Sequence, residues 1–203
     1  MKIPHRELEG FRRNPRAWVA RSLQARRFNG MLIWNESALR MAVHWLHKGH
    51  TLEEAADKLA FYARKDPDRE GRHKVMQRLI AYERWHRRSG RTTTHTKFYL
   101  PAWDLGPLPL GGYIDRIDVM VSSAKPMQGI FLGRHSERWR EELRMPLAQH
   151  AISTCLSWPP DEVAIGVQLI DGSEPEVQHY SIAEVSEALE EFEQLRSQAA
   201  DML

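Results

Sequence analysis

Hydrophobic residues in the first ninety positions recur every three or four residues, which is the spacing of amphipathic helices. Pro15 favours a helix start near Arg16, and Thr51 with Glu54 forms a capping box that opens another helix. A break at 66–68 separates that helix from the next. The predicted segments are helix and turn over 5–28, helices over 36–48 and 51–64, and a helix carrying Val75, Leu79, Tyr82 and Trp85 on one face.

The periodicity changes after Ser89 and Gly90, where short runs with strand character alternate with turns rich in proline and glycine. Strands are predicted over 92–100, 110–121 and 128–133, then a helix over 136–156, strands over 162–169 and 177–180, and a last helix capped by Ser181 and Glu184. This order predicts an α/β protein with a helical N-terminal part. We expect a single domain over 1–203, with a helical part at 1–90, an α/β core at 91–180 and an acidic C-terminal helix at 181–203.

The charge pattern is asymmetric, although the net charge of the 203-residue chain is only +2. Residues 1–30 contain eight lysines and arginines against Glu7 and Glu9, whereas residues 171–203 contain nine carboxylates against Arg196 alone. An arginine-rich segment favours a polyanion such as DNA, through bidentate phosphate contacts and counterion release. The alternative is that these charged helices are simply solvated.

The composition is that of an ordinary soluble protein, with 42% apolar and 28% charged residues. No apolar run approaches the roughly 20 residues that cross a bilayer, and the first residues lack the hydrophobic stretch of a secretory signal. The single cysteine, Cys155, cannot form an internal disulfide, which suits a reducing compartment. We therefore expect a cytoplasmic protein without a membrane partner.

Four segments have distinctive sequences: Phe11–Trp18 (FRRNPRAW), Ala42–His44 (AVH), Thr94–Pro101 (THTKFYLP) and Gly112–Asp118 (GYIDRID). Together with the order of elements, they resemble the RecB-like branch of the PD-(D/E)XK nuclease superfamily, whose relatives include recombination exonuclease domains and CRISPR-adaptation nucleases. The likeness covers about residues 8 to 170, and the GYIDRID segment closely resembles the family's G-x-I-D-R-x-D segment. It implies a restriction-endonuclease-like core with a mixed central sheet flanked by helices. In an active member, Asp115 and His44 would bind Mg²⁺ or Mn²⁺.

The next strand departs from the family pattern, in which an acid and a lysine stand two residues apart on one face. The matching positions hold Phe131 and Gly133, and a shift of one residue gives Leu132 and Arg134. Hydrolysis of a phosphodiester in this way needs acidic groups that hold the metal, so that a bound water becomes a nucleophile. The sequence therefore predicts that catalysis is impaired.

An unpaired Asp115 beside the apolar Phe131 would be costly if it remained buried. We expect that the metal has been replaced by a partner that makes a structural salt bridge, and the candidates are Arg116, Arg134 and His44. The alternative is that the second acid has relocated to Glu141 or Glu142 in the predicted helix 136–156. In that case the protein would still be a nuclease.

Two other groups of residues have both a functional and a structural interpretation. Trp139 stands among arginines, so it could stack on bases while they hold phosphates, or it could belong to the core. His44 and His47 share a helix face, but zinc would need further ligands in a closed tetrahedral site, and a surface helix is the better account. The candidates for DNA contact are Arg12, Arg13, Arg16, Arg134, Arg138, Trp139 and Arg140.

Three hypotheses follow from these observations. The leading one is a RecB-like protein that no longer cuts DNA efficiently and binds it inside a larger assembly, with a phage-defence or CRISPR-linked setting suggested by the relatives. The second is an active Mg²⁺- or Mn²⁺-dependent deoxyribonuclease with relocated acids. The third is a protein-interaction scaffold without a nucleic-acid role, because a fold does not by itself imply a function.

Overall fold

Five α-helices of the described residues follow one another in the N-terminal part, and all five strands of the main sheet come after them. A computed structural model describes residues 3–24, 34–63, 69–100 and 110–201. The helices are α1 (Leu8–Arg13), α2 (Pro15–Gln24), α3 (Trp34–His47), α4 (Leu52–Ala63), α5 (Arg69–Arg88), α6 (Arg144–Leu156) and α7 (Ile182–Ala200). The strands are β1 (Ile3–Pro4), β2 (Thr92–Tyr99), β3 (Leu110–Gly111), β4 (Tyr113–Val119), β5 (Met127–Leu132), β6 (Val163–Gln168) and β7 (Glu176–Gln178).

Local capping explains where several helices begin. The Asn14 side chain accepts a hydrogen bond from the backbone N–H of Ala17 at 2.9 Å, at the start of α2. Thr51 and Glu54 bind each other's backbone N–H groups at 3.1 and 2.8 Å, which confirms the predicted capping box of α4. The equivalent box before α7 is also present.

The main sheet is mixed and has the order β2-β4-β5-β6-β7. Strands β2, β4 and β5 form an antiparallel meander, β6 pairs parallel with β5, and β7 pairs antiparallel with β6. The parallel step is possible because α6 supplies the crossover connection between β5 and β6. The prediction of an α/β protein with a mixed sheet flanked by helices is thereby confirmed.

Both faces of the sheet are covered, as successive residues of β5 show. Ile130 and Leu132 belong to a hydrophobic cluster with α3 and α5, while Phe131 belongs to a second cluster with α1, α6 and α7. None of the helices within the described ranges combines the length and apolar character needed to cross a bilayer.

The predicted helix over 136–156 was wrong at its start. Residues 139–141 form only a 3-10 turn, and α6 begins at Arg144. The reason is that distant side chains bind the backbone there. The Arg140 carbonyl accepts from the Tyr180 hydroxyl at 2.7 Å, the Glu141 carbonyl accepts from Arg12 at 3.2 Å, and the Leu143 N–H donates to Glu9 at 2.7 Å.

Candidate functional site

Asp115 lies in β4 and its carboxylate is almost wholly buried, with 4% of the side chain exposed. Its Oδ2 accepts a hydrogen bond from the backbone N–H of Leu132 at 2.8 Å and lies 3.8 Å from Nη2 of Arg6. Burial raises the pKa of Asp115 to about 6, because lost hydration outweighs the Leu132 hydrogen bond and the attraction of Arg6. The carboxylate is therefore held in a site that does not fully compensate its charge.

A short parallel ladder brings the N-terminal segment to this carboxylate. Ile3 pairs with Leu110, so β1 runs beside β3 and the chain continues through His5 and Arg6. Gly112 permits this approach, because a Cβ there would lie 2.0 Å from Cδ2 of His5 and the backbone φ is +132°. The first glycine of the GYIDRID segment is thus needed in this chain for the close approach of His5.

Arg6 and Lys97 lie near Asp115, and Lys48 in turn acts on Lys97; we call these four residues the Asp115 cluster. The pairing of β2 with β4 puts Lys97 beside Asp115, and the pKa of Lys97 is lowered by burial and by Lys48, while Asp115 opposes this shift. The Arg6 side chain is 42% exposed, and Lys48 is exposed at the end of α3. The cluster therefore has three positive charges against one carboxylate, and it is open to solvent.

Three histidines near the cluster do not add to this charge at neutral pH. Burial lowers the pKa of His5 to about 3, and burial together with nearby cations lowers the pKa values of His44 and His135 to about 4. His5 stacks on Phe131 with ring centroids 5.2 Å apart. Arg144 donates to Nδ1 of His135 at 3.3 Å, which leaves the Nε2 proton to donate to the Phe131 carbonyl at 3.1 Å.

The donor set around Asp115 does not fit a divalent metal. Mg²⁺ and Mn²⁺ prefer several oxygen ligands, but the groups nearest to this carboxylate are the Leu132 amide and the Arg6 guanidinium. Phe131 is buried between the His5 ring and Arg144, whose guanidinium lies 5.1 Å from its ring centre. Among residues 3–24, 34–63, 69–100 and 110–201, no three histidine, cysteine or acidic side chains group as a metal site would require.

The two acids considered as relocated ligands are held by arginines. Glu141 is exposed and binds Arg138. Glu142 binds Nε of Arg144 at 2.6 Å. His44, the other candidate metal ligand, is buried on α3, and its Nδ1 has no hydrogen-bond partner in the described part of the chain.

The candidate DNA-contact residues divide into two groups. Trp139 is buried and Arg140 lies over its ring at 4.6 Å, so the core interpretation of this tryptophan is the one that the structure supports. Arg12 makes two hydrogen bonds to Glu191, and Arg140 also binds Glu176 at 2.8 Å. Arg138 is paired with Glu141. The other three candidate arginines are exposed and have no ion pair within the described residues: Arg13, Arg16 and Arg134.

Arg116, one of the partners expected for Asp115, is engaged elsewhere. This fully buried side chain donates to Asp118 at 2.8 Å and to the Tyr82 hydroxyl, and it lies 5.1 Å from the Trp85 ring centre. Thr93 donates to the second oxygen of Asp118 at 2.8 Å. The expectation of a salt bridge from Asp115 to Arg116, Arg134 or His44 is therefore corrected: the cation found at Asp115 is Arg6.

Sequence reasoning missed most of the Asp115 cluster. Arg6 was noticed only as part of a basic segment, and neither Lys48 nor Lys97 was singled out. A signal existed for Lys97, since it stands in the THTKFYLP segment, one of the four that carry the resemblance. The ladder between β1 and β3 had no signal, because each strand has only two residues.

A scan against models of protein families finds no match for this chain, and a search of curated proteins finds no significant relative. The likeness to RecB-like nucleases therefore remains a resemblance carried by the GYIDRID segment and by the order of elements.

Proposed function

We propose that this protein binds DNA through the Asp115 cluster and does not cut it, using a PD-(D/E)XK-like core from which the metal ligands have been lost. The observation that carries the proposal is that the side chains around Asp115 are cations and not the acids of a metal site. The resemblance expects a second acid near this carboxylate, but the structure has Arg6 and Lys97 near it, with Lys48 next to Lys97. A cluster with an excess of positive charge is complementary to a phosphate, not to a metal ion.

Two further features support DNA as the partner. The exposed Arg13, Arg16 and Arg134 supply additional cations that no acidic side chain of the described residues neutralises. The acidic helix α7 packs against α2 and α6, and within the described residues its carboxylates pair with Arg12 and Arg196 and with no cation of the cluster. Such a distribution favours one-sided binding of a polyanion.

The core geometry supports the superfamily assignment that is part of this proposal. The meander β2-β4-β5, followed by α6 and the parallel strand β6, is the mixed sheet with flanking helices that the resemblance implies. Asp115 lies on the second strand of that meander and contacts the third. A role inside a larger nucleic-acid-processing or defence assembly remains a prediction from the resemblance.

The test is fluorescence anisotropy of labelled DNA titrated with protein at low and moderate salt. The double variant Arg6→Gln/Lys97→Gln should weaken binding and make the slope of log K against log [salt] shallower by about 1.4–1.8, because each lost phosphate contact removes roughly 0.7–0.9. Arg88→Gln, which removes an exposed arginine at the far end of α5, is the matched control and should change neither. Absence of DNA binding by the wild-type protein at low salt would refute the proposal.

The same samples separate the two other hypotheses. Cleavage of labelled DNA in the presence of Mg²⁺ or Mn²⁺ that disappears in Asp115→Ala would establish the nuclease and contradict the loss of catalysis. A protein that co-purifies in high salt after nuclease treatment, together with no DNA binding, would establish the interaction scaffold.

A further inference from the structure

A tyrosine pair, of which Tyr99 is exposed and Tyr113 half-buried, adjoins the Asp115 cluster. Tyr99 ends β2 and Tyr113 begins β4, and the register pairs them directly across the two strands. Their ring centroids are 5.9 Å apart with an interplanar angle of 67°. Tyr99 is 69% exposed, which makes it the one aromatic side chain among the exposed large hydrophobic residues of the described chain.

This pair and the cations belong to one surface. Nζ of Lys97 lies 6.0 Å from the Tyr113 ring centre, and both Asp115 and Arg6 act electrostatically on the Tyr113 hydroxyl, whose pKa is raised by burial and by Asp115. An aromatic face beside groups that can hold phosphate is the arrangement that binds unstacked bases, because the ring takes the base while the cations take the backbone.

The exposed ring also distinguishes between forms of DNA. In a duplex the faces of the bases are stacked on one another, so an aromatic side chain on a protein surface has no base face to contact unless a base step is opened. A single strand presents its base faces freely, and stacking on aromatic side chains tolerates any sequence. Cations alone would not select a single strand, because the duplex has the higher charge density.

We infer that the DNA bound by this protein is single-stranded, with a base stacked on the exposed ring of Tyr99, which Tyr113 supports edge to face, and the adjoining phosphates held by Arg6 and Lys97. The inference rests on the proposed function and adds its substrate class. It requires no sequence preference, and it predicts that the aromatic and cationic parts of the surface contribute separably.

The test compares a labelled single-stranded oligonucleotide with the duplex of the same sequence, by anisotropy at fixed salt. Tyr99→Ala should weaken single-strand binding by roughly 5- to 150-fold, the range that corresponds to loss of one stacked base, and leave duplex binding unchanged. Tyr99→Phe should keep the affinity, whereas Tyr99→Leu, which keeps apolar volume without a ring, should lose it. Val121→Ala removes another exposed apolar side chain and is the matched control.

The salt dependence distinguishes failure of this inference from failure of the proposed function. Tyr99→Ala should leave the salt slope unchanged, while Arg6→Gln should make it shallower by about 0.7 for a single strand. If the wild-type protein binds both forms of DNA and Tyr99→Ala changes neither affinity, the stacking inference is wrong and the proposed function stands. If the wild-type protein binds neither form at low salt, both are wrong.

Discussion

Replacing Asp115 by asparagine should stabilise the folded protein at neutral and alkaline pH. The pKa of this carboxyl is about 6 in the folded chain, against an ordinary value of 3.8. A group with a raised folded-state pKa contributes stability that is complete below its unfolded pKa and is lost as the pH rises through the folded one. A shift of this size corresponds to about 3 kcal/mol lost between low pH and pH 8, since each pKa unit is worth 1.36 kcal/mol.

Asparagine avoids this loss because it carries no charge but keeps an oxygen that can accept the Leu132 N–H. Urea unfolding in the presence of EDTA should therefore show Asp115→Asn more stable than the wild type at pH 8, with a difference that shrinks by about half at pH 5. The exposed Arg6 at 3.8 Å reduces the cost of the charge without abolishing it.

Asp118→Asn is the matched control, since it makes the same change in the same strand. Asp118 is the partner of the fully buried Arg116, so this variant should be less stable than the wild type by about 3–5 kcal/mol, because it leaves a buried cation unpaired. A destabilising effect of Asp115→Asn at pH 8 would refute the reasoning, as it would mean that Asp115 and Arg6 form a net stabilising salt bridge.

Three other predictions concern the surroundings of Asp115. Gly112→Ala should lower the free energy of unfolding, measured with urea, by about 1–3 kcal/mol, because φ is +132° and the new Cβ would meet His5. Gly10→Ala in α1 is the control: its Cβ would meet nothing within 4 Å, so it should not destabilise the protein. Arg12→Ala should lower the free energy of unfolding by up to about 1 kcal/mol, because it breaks the pair with Glu191, but it should leave DNA affinity unchanged. Arg13→Ala should leave stability unchanged and weaken DNA binding in the anisotropy assay. DNA affinity should rise as the pH falls through about 6, because protonation of Asp115 removes the one negative charge of the cluster; a dependence that persists in Asp115→Asn would contradict this cause.

The elements of the fold could be predicted wherever the decisive interaction is local. The capping boxes at Thr51 and Ser181 use residues three positions apart, and the strands are marked by turns on either side. The helix prediction was wrong over 136–143 because the backbone there binds Tyr180, Arg12 and Glu9, which lie 40 to 134 positions away in the sequence. A pattern of charges with helical spacing cannot reveal such distant partners.

The candidate site was predicted at its centre and missed at its edges. Asp115 stood out because its segment is distinctive, but its cation comes from the N-terminal segment through a ladder of two residue pairs. The expectation that Arg116 pairs with Asp115 was avoidable, since neighbouring residues of a strand point to opposite faces of the sheet and residues two apart point to the same face. That rule pairs Arg116 with Asp118, as observed, and not with Asp115.

Two aspartates three positions apart in β4 thus have opposite energetic roles. Asp118 is buried with a cation of matching geometry and a hydroxyl donor, so its charge helps to hold α5 against the sheet through Arg116 and Tyr82. Asp115 is as deeply buried, yet a carboxylate with a raised pKa costs stability, and an asparagine would fold better in its place. Perturbed buried acids beside exposed cations are typical of functional sites, because binding requires groups that the fold itself leaves unsatisfied. The Asp115 cluster therefore deserves the first experiments, and the sign of the Asp115→Asn effect decides whether its charge belongs to the fold or to a ligand.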